Sequence, residues 1–299
     1  MKFSSLPVSL YPELSTGQRT LADWFRLAAS LGLEGADVSV AHLTSRSPAY
    51  LAALREQAER AGVQIAMLVT YADFTHPDTA ERARQVDELR AWITAATHLG
   101  AAFMRVTAGQ AYPGVDRAEG IDWAVTGLLS SLEQATAAGI TLCYENHTRG
   151  YGWHYNDFSQ PADRFLEIME RTAGSGLRLL YDTANTLGTG DDPLAVLNAV
   201  KDRVAVVHVN DIRRAGYFEP CLLGTGVAPV QEIFAVLAAN GFDGWISIEE
   251  ASKTGDAGFY HAIPLAKQWW AAAQGKSKDS ASPAPWGHPP LHFDNSRGG

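Results

Sequence analysis

Almost from end to end, the chain alternates short β-rich runs with longer segments of helical periodicity. Eight runs suit buried strands: "FSSLPVSL", "GADVSV", "VQIAMLV", "AAFMRVTA", "ITLCYE", "LRLLYD", "VAVVHV" and "GWISIE". Each is followed by a helical stretch, the longest being "TAERARQVDELRAWITAATHLG", in which apolar residues recur every three or four positions. Several stretches stop on Gly just before the next run, as in "HLGA", "AAGI" and "NGFDG", the expected helix terminus. Strand then helix, eight times over, predicts an α/β fold of the (β/α)8 barrel type. A doubly wound open sheet is the alternative, but no G-x-G-x-x-G follows the first run, so no nucleotide cofactor is expected.

The barrel accounts for residues 1–274 of 299, and a barrel of that size folds around one core. From residue 275 the chain reads "GKSKDSASPAPWGHPPLHFDNSRGG", rich in Pro, Ser and Gly, which is the composition of an irregular tail. Trp286, Leu291 and Phe293 are apolar anchors that would dock this tail, 275–299, on its own barrel or on a neighbouring subunit. A net charge of -9 repels polyanions, so nucleic acid is not the expected partner and a small molecule is. Cys143 and Cys221 are too few for a disulfide framework and lack zinc-site spacing. Pro7, Pro12 and Glu13 interrupt the N-terminus before a secretory apolar region forms, and no run approaches the roughly 18 apolar residues of a membrane span. A soluble, cytoplasmic protein without a membrane partner is expected.

Chemistry in such a barrel sits at the C-terminal strand ends. The last four runs end on Glu145 in "LCYENH", Asp182 in "LLYDTAN", His208 in "VVHVND" and Glu249 in "ISIEEA". Taken singly, each has an ordinary structural explanation: solvation at a strand end, helix capping by Asp182, a core histidine, an acidic loop. Together they place three carboxylates and an imidazole on consecutive strand tips, a mostly oxygen donor set. That set suits one divalent ion, Mn²⁺ first, with Mg²⁺, Co²⁺, Fe²⁺ or Zn²⁺ admissible. Without a cation the clustered carboxylates would repel one another. Glu250 competes with Glu249, but strand alternation points the two side chains oppositely, and Glu249 directly follows the strand.

The words "LGAAFMRVTAG", "YENH", "YDTAN", "VHVND", "LGTG" and "FDGWISIEEAS" resemble those of the xylose-isomerase-like TIM barrels, a superfamily that includes sugar isomerases and ketose 3-epimerases. The likeness runs from about residue 1 to 273. It implies that Glu145, Asp182, His208 and Glu249 bind the ion and that Glu145 and Glu249 act as acid and base. The implied activity is that of a sugar isomerase or epimerase, abstracting a proton beside a carbonyl through an enediolate. The same site could instead act as a lyase, performing β-elimination on a keto-sugar, keto-inositol or 3-keto-glycoside. Apurinic-site endonucleases resemble this fold too, but they need several zinc ions and a basic face, which an acidic chain with few strand-end histidines does not offer. Many relatives are dimers or tetramers, so a homo-oligomer is expected.

Asn185 stands where several epimerases of the superfamily have a His, and Asn cannot transfer protons at neutral pH. The other candidates to touch substrate are His147, Arg105, Arg213, Trp153 and His154. Structural alternatives are an ion pair for Arg105, pairing with Glu219 for Arg213, a surface place for His147, and loop packing for Trp153 and His154. Asn146 and Asp211, with His147, are candidate supports for the metal ligands.

Overall fold

The computed structural model describes residues 1–280. Its strands are β1 (Lys2–Leu6), β2 (Gly35–Ser39), β3 (Gln64–Val69), β4 (Phe103–Val106), β5 (Thr141–Glu145), β6 (Arg178–Asp182), β7 (Val204–Val209), β8 (Ile212–Arg214), β9 (Tyr217–Pro220) and β10 (Trp245–Glu249). The helices are α1 (Tyr11–Thr16), α2 (Leu21–Ser30), α3 (Pro48–Ala61), α4 (Thr79–Leu99), α5 (Arg117–Leu129), α6 (Leu132–Ala137), α7 (Ala162–Arg171), α8 (Pro193–Val200), α9 (Val230–Ala239) and α10 (Asp256–Ser280).

Eight parallel strands run in the order β1-β10-β7-β6-β5-β4-β3-β2, the nearly closed barrel that the alternation predicts. At the seam between β1 and β2 the backbone N–H of Glu34 donates to the carbonyl of Phe3 at 3.0 Å. The helices start where capping residues allow. Thr20 and Asp23 form a reciprocal capping box on α2, and Ser47 and Asp78 cap α3 and α4, each accepting from an N–H that has no partner inside its helix. α3 and α4 end on Gly62 and Gly100 at φ 94° and 73°, left-handed positions that cost glycine least.

Apolar side chains fill two layers. One, inside the barrel, contains Leu6, Met67, Val69, Leu180 and Val206. The larger one, between strands and helices, contains Phe25, Leu51, Ile93, Leu128, Phe165 and Phe234. Strands covered on both faces are continuous apolar runs, which is why they stand out in the sequence.

Four local expectations change. The strand expected over residues 3–10 ends at Leu6, because Pro7 has no N–H for the ladder. The helical stretch that follows the fourth run, "DWAVTGLLSSLEQATAAG", reads as one helix but breaks between α5 and α6, where the hydroxyl of Ser130 donates back to the carbonyl of Gly127 at 2.6 Å and competes with the helical pattern. β8 and β9 form an antiparallel hairpin in a stretch that carried no strand signal. α10 continues past residue 274 to Ser280, and Trp286, Leu291 and Phe293 lie outside the described residues. No helix among the described residues is long and apolar enough to cross a membrane.

Candidate metal centre

Glu145, Asp182 and Glu249 close β5, β6 and β10, and His208 is the penultimate residue of β7. Register fixes their neighbourhood: Asp182 lies opposite His208 between β6 and β7. One donor atom from each of the four residues lies within 4.8 Å of all the others. The Nδ1 atom of His208 is 3.2 Å from Glu145 Oε1 and 3.1 Å from Glu249 Oε2. Glu145, Asp182 and His208 are fully buried, whereas the Glu249 side chain keeps 17% of its surface accessible.

The two oxygens of Asp182 differ in their partners. Its Oδ1 accepts from the backbone N–H groups of Ala184 at 2.8 Å and Asn185 at 2.7 Å, which closes the turn leading into the 3₁₀ segment Asn185–Thr189. Its Oδ2 is buried without a hydrogen-bond partner among the described residues. A buried anionic oxygen without a donor is costly, and a cation at this point removes that cost, so the donor set fits a divalent ion.

Electrostatics favour the same reading. Burial, then the charges of Glu249 and Glu145, push Asp182 well above the ordinary carboxylate range. Burial would lower His208, but hydrogen bonds to Glu145 and Glu249 raise it to about 10. Burial would raise Glu145, yet the guanidinium of Arg105 and the imidazole of His208 hold it below its usual range. The clustered acids thus draw a proton toward His208, the response of a site that favours positive charge at its centre.

Around this cluster the expected supports divide. Asn146 clamps the Asp182 backbone, its Oδ1 accepting from the N–H at 2.7 Å and its Nδ2 donating to the carbonyl at 2.9 Å. Asp211 contacts no ligand; its carboxylate accepts from the amides of Ile212, Gly224, Gly226 and Ala228 and ties "LGTG" to the end of β7. Glu250 is buried and accepts from the N–H of Ser252 at 3.0 Å, and the cluster of four donors does not include it.

The candidate substrate residues are scattered. Arg105 is buried, its Nη1 donating to Glu145 Oε2 at 2.8 Å and its Nη2 to the Thr70 carbonyl at 2.9 Å, so its guanidinium serves a metal-ligand candidate. His147 is buried beside Asp157, Nδ1 to Oδ2 at 3.3 Å, with the ring of Trp153 perpendicular to it. Trp153 is likewise buried, while His154 is exposed. Asn185 accepts from the hydroxyl of Thr148 at 2.6 Å. Arg213 is exposed and pairs with Glu219 at 3.0 Å, the structural alternative weighed for it.

The half of the mouth contributed by β1 to β3 escaped the sequence patterns. There Tyr11 packs edge-on against His42 at 4.4 Å between ring centroids, and Tyr151 lies 5.8 Å from Tyr11 and 6.4 Å from Tyr71. The loop after β5 thus reaches across to the loops after the first three strands, and the Tyr71 ring covers the Arg105 guanidinium at 4.6 Å. These aromatics follow strand ends but belong to no recognisable word, so only the closed barrel groups them.

Comparison with known proteins agrees with this architecture. A putative hydroxypyruvate isomerase from Streptomyces coelicolor is 28% identical over 259 residues, 83% of this chain and 88% of the relative. An inosose dehydratase from Geobacillus thermodenitrificans is 27% identical over 166 residues, 50% of this chain. That match spans 53% of the dehydratase, about half its length. The solved structure of an L-ribulose 3-epimerase superposes with a TM-score of 0.74 at 19% identity, over 94% of this chain and 99% of the other, a likeness of fold. The model of one family matches residues 25–273, and the chain belongs to that family, the xylose isomerase-like TIM barrels.

Proposed function

We propose that the protein is a divalent-metal-dependent isomerase or epimerase of a small keto-sugar or related polyol, with Mn²⁺ as the first candidate ion. The observation that carries this reading is the convergence of Glu145, Asp182, His208 and Glu249 around the partnerless Oδ2 of Asp182. When bound, the cation supplies Lewis acidity toward a carbonyl and its neighbouring hydroxyl, acidifying the adjacent C–H. Glu249 is the group placed to take that proton: it is the accessible member of the set, and among the described residues it has no arginine partner within ion-pair distance. Glu145 is the weaker base, because Arg105 stabilises its charged form. The tyrosines opposite offer flat apolar faces for the C–H side of a polyol and restrict water at the mouth.

The pairing of Glu145 with Arg105 also favours a second reading. Epimerisation across a planar enediolate uses two proton-transfer groups, whereas β-elimination begins with one. A lyase acting on a keto-inositol or 3-keto-glycoside is supported further by the similarity to inosose dehydratases. NMR in D₂O, with protein stripped of metal and reloaded with Mn²⁺, Mg²⁺ or Co²⁺, separates the two. Metal-dependent deuterium incorporation with an epimer or isomer as product supports the first. Loss of water or an aglycone selects the second, and no exchange with ketoses, keto-inositols or 3-keto-glycosides defeats both.

A further inference from the structure

Below the four candidate ligands, inside the barrel, lies a carboxylate that the catalytic reading does not use. Asp37 sits on β2 and is fully buried. The pairing of β2 with β3 is irregular at this point, stepping from Ala36–Ile65 to Val38–Leu68, and such irregularities re-aim side chains near functional sites. Oδ2 of Asp37 accepts from the Ser4 hydroxyl at 3.1 Å and the Ser247 hydroxyl at 2.5 Å. Ser247 pairs in register with His208 on one side and with Ser4 on the other, so Ser4, Ser247 and His208 form one row across three adjacent strands.

Besides Oδ2 of Asp182, two further atoms here are buried without a hydrogen-bond partner among the described residues: Oδ1 of Asp37 and Nε2 of His208. The opposite ring nitrogen of His208, Nδ1, faces Glu145 and Glu249. A histidine that binds metal through one nitrogen ordinarily gives its other N–H to an outer acceptor, which fixes tautomer and ring orientation. From this arrangement we propose that Asp37 is a positioning residue for the cation: its carboxylate, held by Ser4 and Ser247, keeps the proton of His208 on Nε2, so that Nδ1 turns its lone pair to the metal. The inference rests on the metal-binding reading above. Burial pushes Asp37 up to about 6, with the Ser247 hydrogen bond and the charge of His208 opposing a further rise.

The test uses full-length protein stripped of metal. Mn²⁺ affinity is measured by EPR of the free ion for wild type and Asp37→Asn, and the His208 tautomer is read by two-bond ¹H–¹⁵N correlation in Zn²⁺-loaded, ¹⁵N-histidine-labelled protein. The expected results are a proton on Nε2 in the wild type and a Kd for Mn²⁺ that rises about 10- to 100-fold in Asp37→Asn, the usual cost of removing an outer-shell partner. A wild-type proton on Nδ1 overturns the proposal. So does an Asp37→Asn protein that melts earlier but binds Mn²⁺ as the wild type does, since Asp37 then only braces the barrel seam. Should Asp37→Asn not fold, Ser247→Ala frees one anchor of the carboxylate; a weaker rise in Kd supports the proposal and an unchanged Kd overturns it. A wild type that takes up no Mn²⁺ overturns the functional reading and this inference with it, whereas uptake with unaltered variants defeats the inference alone.

Discussion

The two oxygens of Asp182 carry different loads, since Oδ1 is saturated by two backbone amides while Oδ2 has no donor. Asp182→Asn keeps a capping oxygen and removes the charge. Outer-shell partners alone are worth 10- to 100-fold in metal affinity, so loss of a direct ligand should weaken Mn²⁺ binding by more than about 100-fold, read by EPR titration. In metal-free protein at pH 7 the same variant should melt at a higher temperature. A buried acid whose folded pKa is raised contributes stability only at low pH and loses it as pH rises, and Asn removes that burden. A lower melting point for the metal-free variant contradicts this account. Arg105 behaves oppositely: Arg105→Met leaves the buried Glu145 carboxylate without its guanidinium and paired with His208 alone, at a cost of up to about 3–5 kcal/mol, measurable by urea unfolding at pH 7. Asp182 was legible in the sequence because it interrupts an apolar run at a strand end. Asp37 was not, because it lies within "GADVSV" and acquires meaning only when β1 and β10 bring Ser4 and Ser247 to it.

The connection from β7 to α9 is organised by a single side chain. Asp211 gathers four amides, and Gly226 has to be glycine because a Cβ there would sit 2.2 Å from the Ile212 carbonyl and 2.3 Å from Asp211 Oδ1. Hydrogen bonds to a charged acceptor are worth about 1.5–3 kcal/mol each, and several are lost together in Asp211→Ala. Faster amide hydrogen exchange is therefore expected over residues 211–228, with β5 and β6 unchanged; unaltered exchange in that loop would mean that Asp211 is not its anchor. The regular strands and helices were legible because burial on two faces or on one stripe leaves a periodic trace. The β8–β9 hairpin was not, since its residues are mostly exposed or half-buried and carry no such period. The word "LGTG" was recognised, but its physical reason, amides converging on Asp211, required the fold.

At the scale of the whole molecule, the barrel brings together charges that cannot coexist without a positive partner, and pH decides which partner is present. His208, raised to about 10 by Glu145 and Glu249, is protonated at neutral pH in metal-free protein. Its contribution to stability is complete below about 6.5, the ordinary value, and is lost as pH rises toward 10. Asp182, raised by burial and by its neighbouring carboxylates, has the same sign, so metal-free protein should lose stability on alkalinisation. Metal binding has the opposite slope, because each ligand must shed its proton before it coordinates. With at least one proton displaced from His208, the Mn²⁺ association constant should rise by about tenfold per pH unit between roughly pH 6 and 9. Calorimetry in buffers of different ionisation enthalpy counts those protons directly. Release of one or more protons per ion, together with a melting temperature that falls with pH without metal and holds steady with it, supports exchange of an imidazolium for a cation at one site. An affinity independent of pH over that range would mean that His208 is neutral before the metal arrives, and the charge balance assigned to this barrel mouth would have to be redrawn.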